Sequence, residues 1–376
     1  MCQLGILQRD RTVSDGAPFQ TRHIRTQDGR PRHHRGLLTA QVNTDSDYTP
    51  AVPPALPMAG QLRRPYLPQH MQFCIARRLR LGVMTEQDFE IPREILEGWA
   101  GVAHTARLMI DVLQQIREPK PGSNLAQVND VYAPERGSDW CRSYLSSALD
   151  HLEFWGDHVA PLKFHPEQRV RHTFRPVQTL SRAAIESSAH AIWVLDAPTA
   201  QECTRRHLSL VVHDFEEQKK AAISQERKAT LARRREDLVR RIGPGLSEDD
   251  IKRAPGYMDL VKQAAAVVAA KGSSKYDIDT VERLWRASAG SAHGKRWPSH
   301  ELQIVLPQDE VLPGQFNTLQ MPDPSAITSI TGLASSLTSY AVLRFADYSG
   351  YEPQLASFLE QARNRLSAKI PRRTDL

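Results

Sequence analysis

Apolar side chains recur with a helical period along most of this chain, and that pattern constrains the fold more than any other feature. In "PREILEGWAGVAHTARLMIDVLQQI", which starts at Pro92, large apolar residues return about every 3.6 positions. Similar patterns follow at about 138–160 and 175–196, and each ends close to a proline. The sequence therefore predicts an all-α protein, built as an irregular antiparallel helical bundle.

A fourth helical pattern begins at Thr199 and is longer than the others. Its first part is amphipathic, whereas its continuation through 216–241 is charged on nearly every side until Gly243-Pro244-Gly245 ends it. A helix that is polar all round projects into solvent or packs against another molecule. We therefore expect one long helix whose segment 216–241 is a solvated arm or a contact surface for a protein partner.

The C-terminal part of the chain combines helices with a short β pattern. Helical patterns occupy 257–272 and the stretch that begins near Asp279. "ELQIVL" and "QFNTLQM", separated by a loop with proline and glycine, predict a small β-hairpin near 301–321. Two further helices are predicted at about 324–347 and 352–369, so the segment 300–370 should contain the hairpin and both of these helices.

The first 83 residues differ in composition from the rest of the chain. They hold 12 Arg, no Lys, five Asp and no Glu, which gives them a net charge of +7, although the whole chain carries only +6. Segments rich in Pro, Arg and Gln with little apolar surface cannot offset the chain entropy of folding. The sequence predicts a disordered basic leader at 1–83 and a helical domain at 84–376. One hypothesis is that translation in vivo starts at Met84.

Several classes of protein and site are not predicted. Residues 1–30 contain no apolar run of signal-peptide length. The apolar run at 264–270 is too short to span a membrane, and the helical pattern near 325–347 is rich in Ser and Thr and includes Arg344 and Asp347, so we expect a cytoplasmic protein without membrane contact. The four cysteines are isolated from one another and indicate neither a zinc site nor a disulfide framework. The Walker, dinucleotide-binding and zinc-protease motifs do not occur, and no metal or cofactor is expected.

The stretch 285–297, "WRASAGSAHGKRW", carries two residues with catalytic potential. Arg286 and His293 are seven residues apart, so on a helix they share a face but stand roughly 10 Å apart along the axis. Helical side chains lean toward the N-terminus, and Arg286 therefore points away from His293. An antiparallel second copy would bring each arginine near the other chain's histidine. The small residues 287–292 would permit such a close approach.

An arginine followed several residues later by a histidine near the end of a helix, within a small helical bundle, resembles the HEPN superfamily (higher eukaryotes and prokaryotes nucleotide-binding). The resemblance covers about 173–297. It implies a homodimeric, metal-independent ribonuclease or RNA-binding protein of a toxin or phage-defence system. It also implies that Arg286 and His293 are the catalytic pair, and that Glu186, on a helix packed nearby, orients one of them by a hydrogen bond.

This chemistry requires residues of these types. His293 could act as general base on a ribose 2′-hydroxyl or as general acid toward the leaving 5′-oxygen. Arg286 could stabilise the charge that develops on the phosphate. The products would be a 2′,3′-cyclic phosphate and a 5′-hydroxyl. Other basic residues are predicted to bind the RNA substrate: Arg182, Lys295 and Arg296.

A purely structural interpretation of the same residues stays open. Glycine commonly follows a helix end, and histidine is favourable in a last turn, so His293-Gly294 is also an ordinary way to end a helix. Arg182 and Glu186 are spaced as a surface ion pair of one helix. The alternative function is therefore a non-catalytic helical interaction or dimerisation protein. Burial of His293, and its distance from an arginine, should separate the two interpretations.

Overall fold

The computed structural model describes residues 91–162, 174–242, 245–251 and 254–370. In these ranges the chain is almost entirely helical, which confirms the predicted all-α bundle. The predicted leader at 1–83, and its boundary with the domain 84–376, lie outside the described residues. Eleven α-helices and one β-hairpin are present in the described part: α1 (Arg93–Gln115), α2 (Asn124–Val131), α3 (Gly137–Val159), α4 (Phe174–Leu195), α5 (Ala200–Ala221), α6 (Gln225–Arg241), α7 (Tyr257–Ala270), α8 (Ile278–Ala292), α9 (Pro298–Leu302), β1 (Gln303–Leu312), β2 (Gln315–Pro322), α10 (Pro324–Tyr348) and α11 (Leu355–Ser367).

Helix α4 lies at the centre of the bundle and packs against α3, α7, α8 and α10. Most of its apolar side chains are buried, and Ile185, Ile192 and Leu195 are fully buried. Burying one such side chain contributes about 1.5–3 kcal/mol, so this helix supplies a large share of the core. Ser188 and Thr338 join α4 to α10 through a buried hydrogen bond of 2.8 Å. The segments 173–297 and 300–370 thus share one hydrophobic core.

Helix α10 is long and apolar enough, by length and composition alone, to cross a membrane, and it is the one described helix that meets this test. Its apolar residues are buried within the bundle, including Leu333, Leu337 and Phe345. It also contacts α1 and α4 along its length. These contacts account for its composition.

The predicted long fourth helix is wrong in one respect, because the structure breaks it at residues 222–224 into α5 and α6. Ser224 caps α6 by accepting a hydrogen bond from the Arg227 amide at 3.1 Å. Helix α6 then folds back on α5, and its Leu231 and Leu238 enter a second, smaller core around Phe215. The charged segment therefore packs within the chain and does not project into solvent as an arm.

The C-terminal predictions are confirmed, with additional short elements. Strands β1 and β2 pair antiparallel around a turn at Gly314, which has a φ of 76° that favours glycine. The two predicted C-terminal helices correspond to α10 and α11. The sequence patterns did not indicate α2, which Ser123 caps, or α9, in which Pro298 occupies the first turn.

Candidate functional site

Helix α8 and its C-cap contain the predicted catalytic pair, Arg286 and His293. The helix begins at the N-cap Asp277, whose carboxylate accepts a hydrogen bond of 2.7 Å from the Thr280 amide. Val281 and Leu284 are buried against the rest of the bundle. One side of the helix is thereby fixed on α4 and α7, and the other side faces solvent.

The end of α8 is a Schellman motif. Gly294 has a φ of 70°, its amide donates to the Ser291 carbonyl at 3.1 Å, and the Lys295 amide donates to the Gly290 carbonyl at 2.8 Å. These two bonds satisfy carbonyls that a helix end would otherwise leave unpaired. Gly294 is therefore explained by the local backbone, as the structural interpretation of "HG" predicts, and His293 is the C-cap residue.

The small residues between Arg286 and His293 are largely covered by the chain itself. A Cβ on Gly290 would lie 2.9 Å from Pro298 Cγ and 3.1 Å from the Trp297 ring. Ala287 is fully buried, and the Ser288 hydroxyl donates to the Gln178 side chain at 2.7 Å. The expectation that this stretch offers a free, small-residue surface to a second copy is therefore wrong for most of its positions.

Arg286 lies on the exposed side of α8 and is already paired. Its guanidinium donates to Glu282 one turn earlier, at 2.7 and 2.8 Å. Glu282 also accepts a hydrogen bond from Lys262 at 2.9 Å. Lys262 and Arg286 together lower the pKa of the Glu282 carboxyl. Arg286 lines a shallow cleft of about 320 Å³ together with Glu282 and Trp297, and its guanidinium is already engaged by a carboxylate.

His293 is exposed at the end of the helix. Among the described residues its ring forms no hydrogen bond or ion pair, and it does not contact Arg286. The two residues are therefore not brought together within one chain, in agreement with the spacing argument. A site that contains both would need a second copy to supply one of them.

Glu186 contacts α8 but not the residues that it was expected to orient. Its carboxylate accepts hydrogen bonds from Arg182 at 2.7 Å and from the Trp285 indole at 2.8 Å. The Arg182 guanidinium also lies over the Trp285 ring, 5.2 Å from its centroid. Glu186 is thus engaged by Trp285 and not by Arg286 or His293. Arg182 is held in the same partly buried cluster, so it is not a free substrate ligand.

Lys295 and Arg296 follow the helix end and are exposed. Neither side chain has an ion-pair partner in the part of the chain that the structure describes. Two large aromatic side chains lie near this end of α8 and are also exposed, Trp297 by 45% and Phe154 by 71%. Neither is among the site residues predicted from the sequence. Trp297 follows Lys295 and Arg296 directly, but Phe154 is distant in sequence and gives no signal of its own.

Within the described ranges, no group of three or more His, Cys, Asp or Glu side chains is arranged to hold a metal ion. Cys141 and Cys203 are free and buried, and burial raises the pKa of the Cys203 thiol to about 12. This arrangement makes both thiols unreactive packing residues. No family model matches the chain, and neither a curated protein nor a solved structure matches it.

Proposed function

We propose that this protein binds single-stranded RNA at the C-terminal end of α8. One observation carries the proposal. Three basic residues lie within four positions, are exposed, and have no carboxylate partner among the described residues: His293, Lys295 and Arg296. Exposed basic groups without an internal partner are available to phosphate oxygens. We call this surface, His293 to Trp297, the α8 basic end.

The neighbouring cations differ from those of the α8 basic end. Arg286 is paired with Glu282, and Arg283 donates to Glu301 at 3.1 Å. A phosphate would have to displace a carboxylate to bind either arginine. Lys295 and Arg296 require no such exchange. The electrostatic attraction for a phosphate backbone is therefore strongest after the helix end and weaker along the helix.

Trp297 favours a single strand over a duplex. Its indole is 45% exposed and lies directly beside the two basic residues. An unpaired base can stack on an aromatic ring while neighbouring phosphates contact cations, whereas the bases of a duplex are already stacked. Basic groups combined with an aromatic platform are typical of single-strand binding surfaces.

RNA binding is a better description of a single chain than RNA cleavage. Arg286 and Glu186 are each held by other partners, and His293 reaches neither. The HEPN resemblance implies a metal-independent ribonuclease, and we therefore propose this activity only for a homodimer. In such a dimer Arg286 of one copy would lie beside His293 of the other, after Arg286 leaves Glu282. The proposed place in a toxin or phage-defence system rests on the resemblance alone.

Fluorescence anisotropy tests the proposal. It measures how tightly the protein binds a labelled 12-nucleotide RNA without secondary structure at several salt concentrations. The double variant Lys295→Ala/Arg296→Ala should bind about tenfold or more weakly, and its salt slope should fall by about 1.4, because each lost phosphate contact removes about 0.7. The control is Arg227→Ala/Lys228→Ala on α6, which removes the same charge elsewhere. Equal losses of affinity in both double variants would show that only net charge determines binding, and this result would contradict the proposal.

A second candidate function, protein interaction, is favoured by the turn between α5 and α6. Ile223 is 99% exposed there, so contact with a second copy at this turn would remove its whole side chain from water. We propose self-association of the segment 216–241 through this turn as the alternative. Sedimentation of wild type and Ile223→Asp distinguishes the two functions. A dimer that dissociates in the variant supports the alternative, whereas a wild-type monomer sinks it.

A further inference from the structure

An open cleft of about 430 Å³ lies next to the α8 basic end, between α3, the start of α4 and the end of α8. Its volume falls within the usual range of small-molecule sites, about 300–1,000 Å³. Phe154, Leu180 and Ala292 give it apolar walls, and Arg175 and Ser291 contribute polar groups. The residues that line this cleft include no carboxylate, so an anionic ligand meets no repulsion from its walls.

Phe154 is the largest exposed apolar group of the cleft. It stands on α3 with 71% of its surface open to solvent, on the side of the helix opposite the buried Leu152 and Trp155. An aromatic ring left in water at the rim of a cleft gains free energy when a planar apolar face covers it. A nucleobase offers such a face, and a phosphate group does not.

Ser291 provides an independent indication of a ligand. The residue is only 1% exposed and lines the cleft, and its hydroxyl has no hydrogen-bond partner among the described residues. A buried polar atom without a partner is unfavourable in folding, so such atoms are uncommon in native structures. The hydroxyl oxygen is buried in the structure, and rotation of the side chain toward the cleft would let it donate a hydrogen bond to a carbonyl or ring nitrogen of a base there.

Arg175 is positioned at the same place by the helix end. Its Nη1 donates to the Ser291 carbonyl at 2.8 Å, which fixes the guanidinium beside the last turn of α8. Arginine has five N–H donors in a planar group, and most of them remain available to a phosphate or a base edge. The cleft therefore combines a stacking surface, a free hydroxyl and a fixed cation.

We propose that this cleft is a nucleobase pocket, which receives one unpaired base of an RNA whose phosphates lie on the α8 basic end. Gly294 borders the cleft and also connects directly to His293 and Lys295, so one strand can occupy both surfaces. The base stacks on Phe154 and accepts a hydrogen bond from Ser291. This inference rests on the proposed function, and it specifies a base where the proposed function requires only a phosphate backbone.

The test compares two 12-nucleotide RNA probes, oligouridine and an oligomer with the same backbone but no bases. The variant Phe154→Ala should bind oligouridine about tenfold more weakly than the wild type, because stacking on one aromatic ring has roughly this effect. Its affinity for the abasic oligomer should not change. The matched control is Phe316→Ala, which removes a phenylalanine that is 50% exposed on the hairpin and should leave both affinities as they are.

Ser291→Ala provides a second variant, since it removes only the unpartnered hydroxyl and keeps the packing of α8. It should weaken oligouridine binding severalfold without lowering thermal stability, because the hydroxyl that it removes has no partner in the folded protein. Wild-type protein that binds both probes equally, or Phe154→Ala protein that binds oligouridine as the wild type does, overturns the pocket and leaves the proposed function intact. Wild-type protein that binds neither probe overturns both.

Discussion

Trp285 donates its indole N–H to the Glu186 carboxylate at 2.8 Å, and this bond joins α8 to the central helix α4. Arg182 completes the contact by donating to the same carboxylate and by lying over the indole ring. The three side chains are partly buried, so their mutual bonds replace contacts with water. Glu186 is thus a structural residue that holds α8 in place, and its effect on the α8 basic end is indirect.

Replacing Glu186 by alanine should lower the free energy of unfolding by about 1–3 kcal/mol, because the Trp285 N–H and the Arg182 guanidinium would lose their common partner in a partly buried site. Urea unfolding followed by circular dichroism measures the change. Glu282→Ala removes a partly buried carboxylate from α8 whose partners, Lys262 and Arg286, are more exposed than Arg182, so it should cost at most about 1 kcal/mol. If both variants lost the same stability, the Glu186 cluster would be no more than a surface ion pair.

Two helical glycines should respond in opposite ways to alanine. A Cβ on Gly290 would lie 2.9 Å from Pro298 Cγ, whereas one on Gly98 would meet nothing within 4 Å. Alanine stabilises an open helical position by about 0.5–1 kcal/mol, so Gly98→Ala should raise the melting temperature. Gly290→Ala should lower it, since overpacking typically costs about 1–3 kcal/mol and outweighs the helix propensity. A higher melting temperature for Gly290→Ala would show that the Trp297 contact is loose.

His207 should make the protein less stable in mild acid. The ring is buried in α5, Nε2 donates to the Glu135 carbonyl at 2.6 Å, and burial lowers the pKa of His207 from 6.5 to about 4. Between these two pH values the unfolded chain binds a proton that the folded chain excludes, so stability is full above pH 6.5 and falls as the pH decreases. The loss from pH 7 to pH 5 should be about 2 kcal/mol.

Urea midpoints at pH 7, 6 and 5 measure this dependence. His207→Gln keeps a hydrogen-bond donor but removes the titrating group, so it should show a flatter profile. His300→Gln, at an exposed position, should retain the wild-type slope. An unchanged slope for His207→Gln would assign the acid sensitivity to other groups.

Cleavage by a shared site predicts complementation between inactive variants. Arg286→Ala and His293→Ala should each be inactive on single-stranded RNA in EDTA. After mixing and exchange of subunits, half of the dimers would be heterodimers with one intact site, so about a quarter of the wild-type activity should return. Activity that is lost in both variants and does not return would place the whole site within one chain. Wild-type protein that does not cleave RNA would limit the function to binding.

Most of the helices could be predicted because their apolar residues keep a helical period and because prolines mark their ends. The break at 222–224 could not, since it contains neither proline nor glycine. Its only local signal is Ser224, and a serine at an N-cap resembles a serine on a solvated helix face. The small core around Phe215 determines that the chain breaks here, and that core depends on contacts between α5 and α6.

The candidate site could be predicted only where it depends on spacing within one helix. Spacing alone shows that Arg286 and His293 cannot meet on one helix, and the structure agrees. The four-residue spacing of Glu282 and Arg286 also predicts an ion pair across one helical turn. The structure contains this pair, which weakens the case for a free catalytic arginine. The engagement of Glu186 by Trp285, and the approach of Phe154 to the end of α8, arise from packing between helices. No pattern within one segment could indicate them.

The smaller core between α5 and α6 has a consequence for how the molecule opens. Helix α6 is anchored by few apolar side chains, chiefly Leu231 and Leu238, and by exposed ion pairs that salt weakens. Such an element can detach while the large core around α4 stays folded. The amides of α6 should therefore exchange with solvent through a local opening of low free energy, whereas those of α4 should exchange only when the whole bundle unfolds.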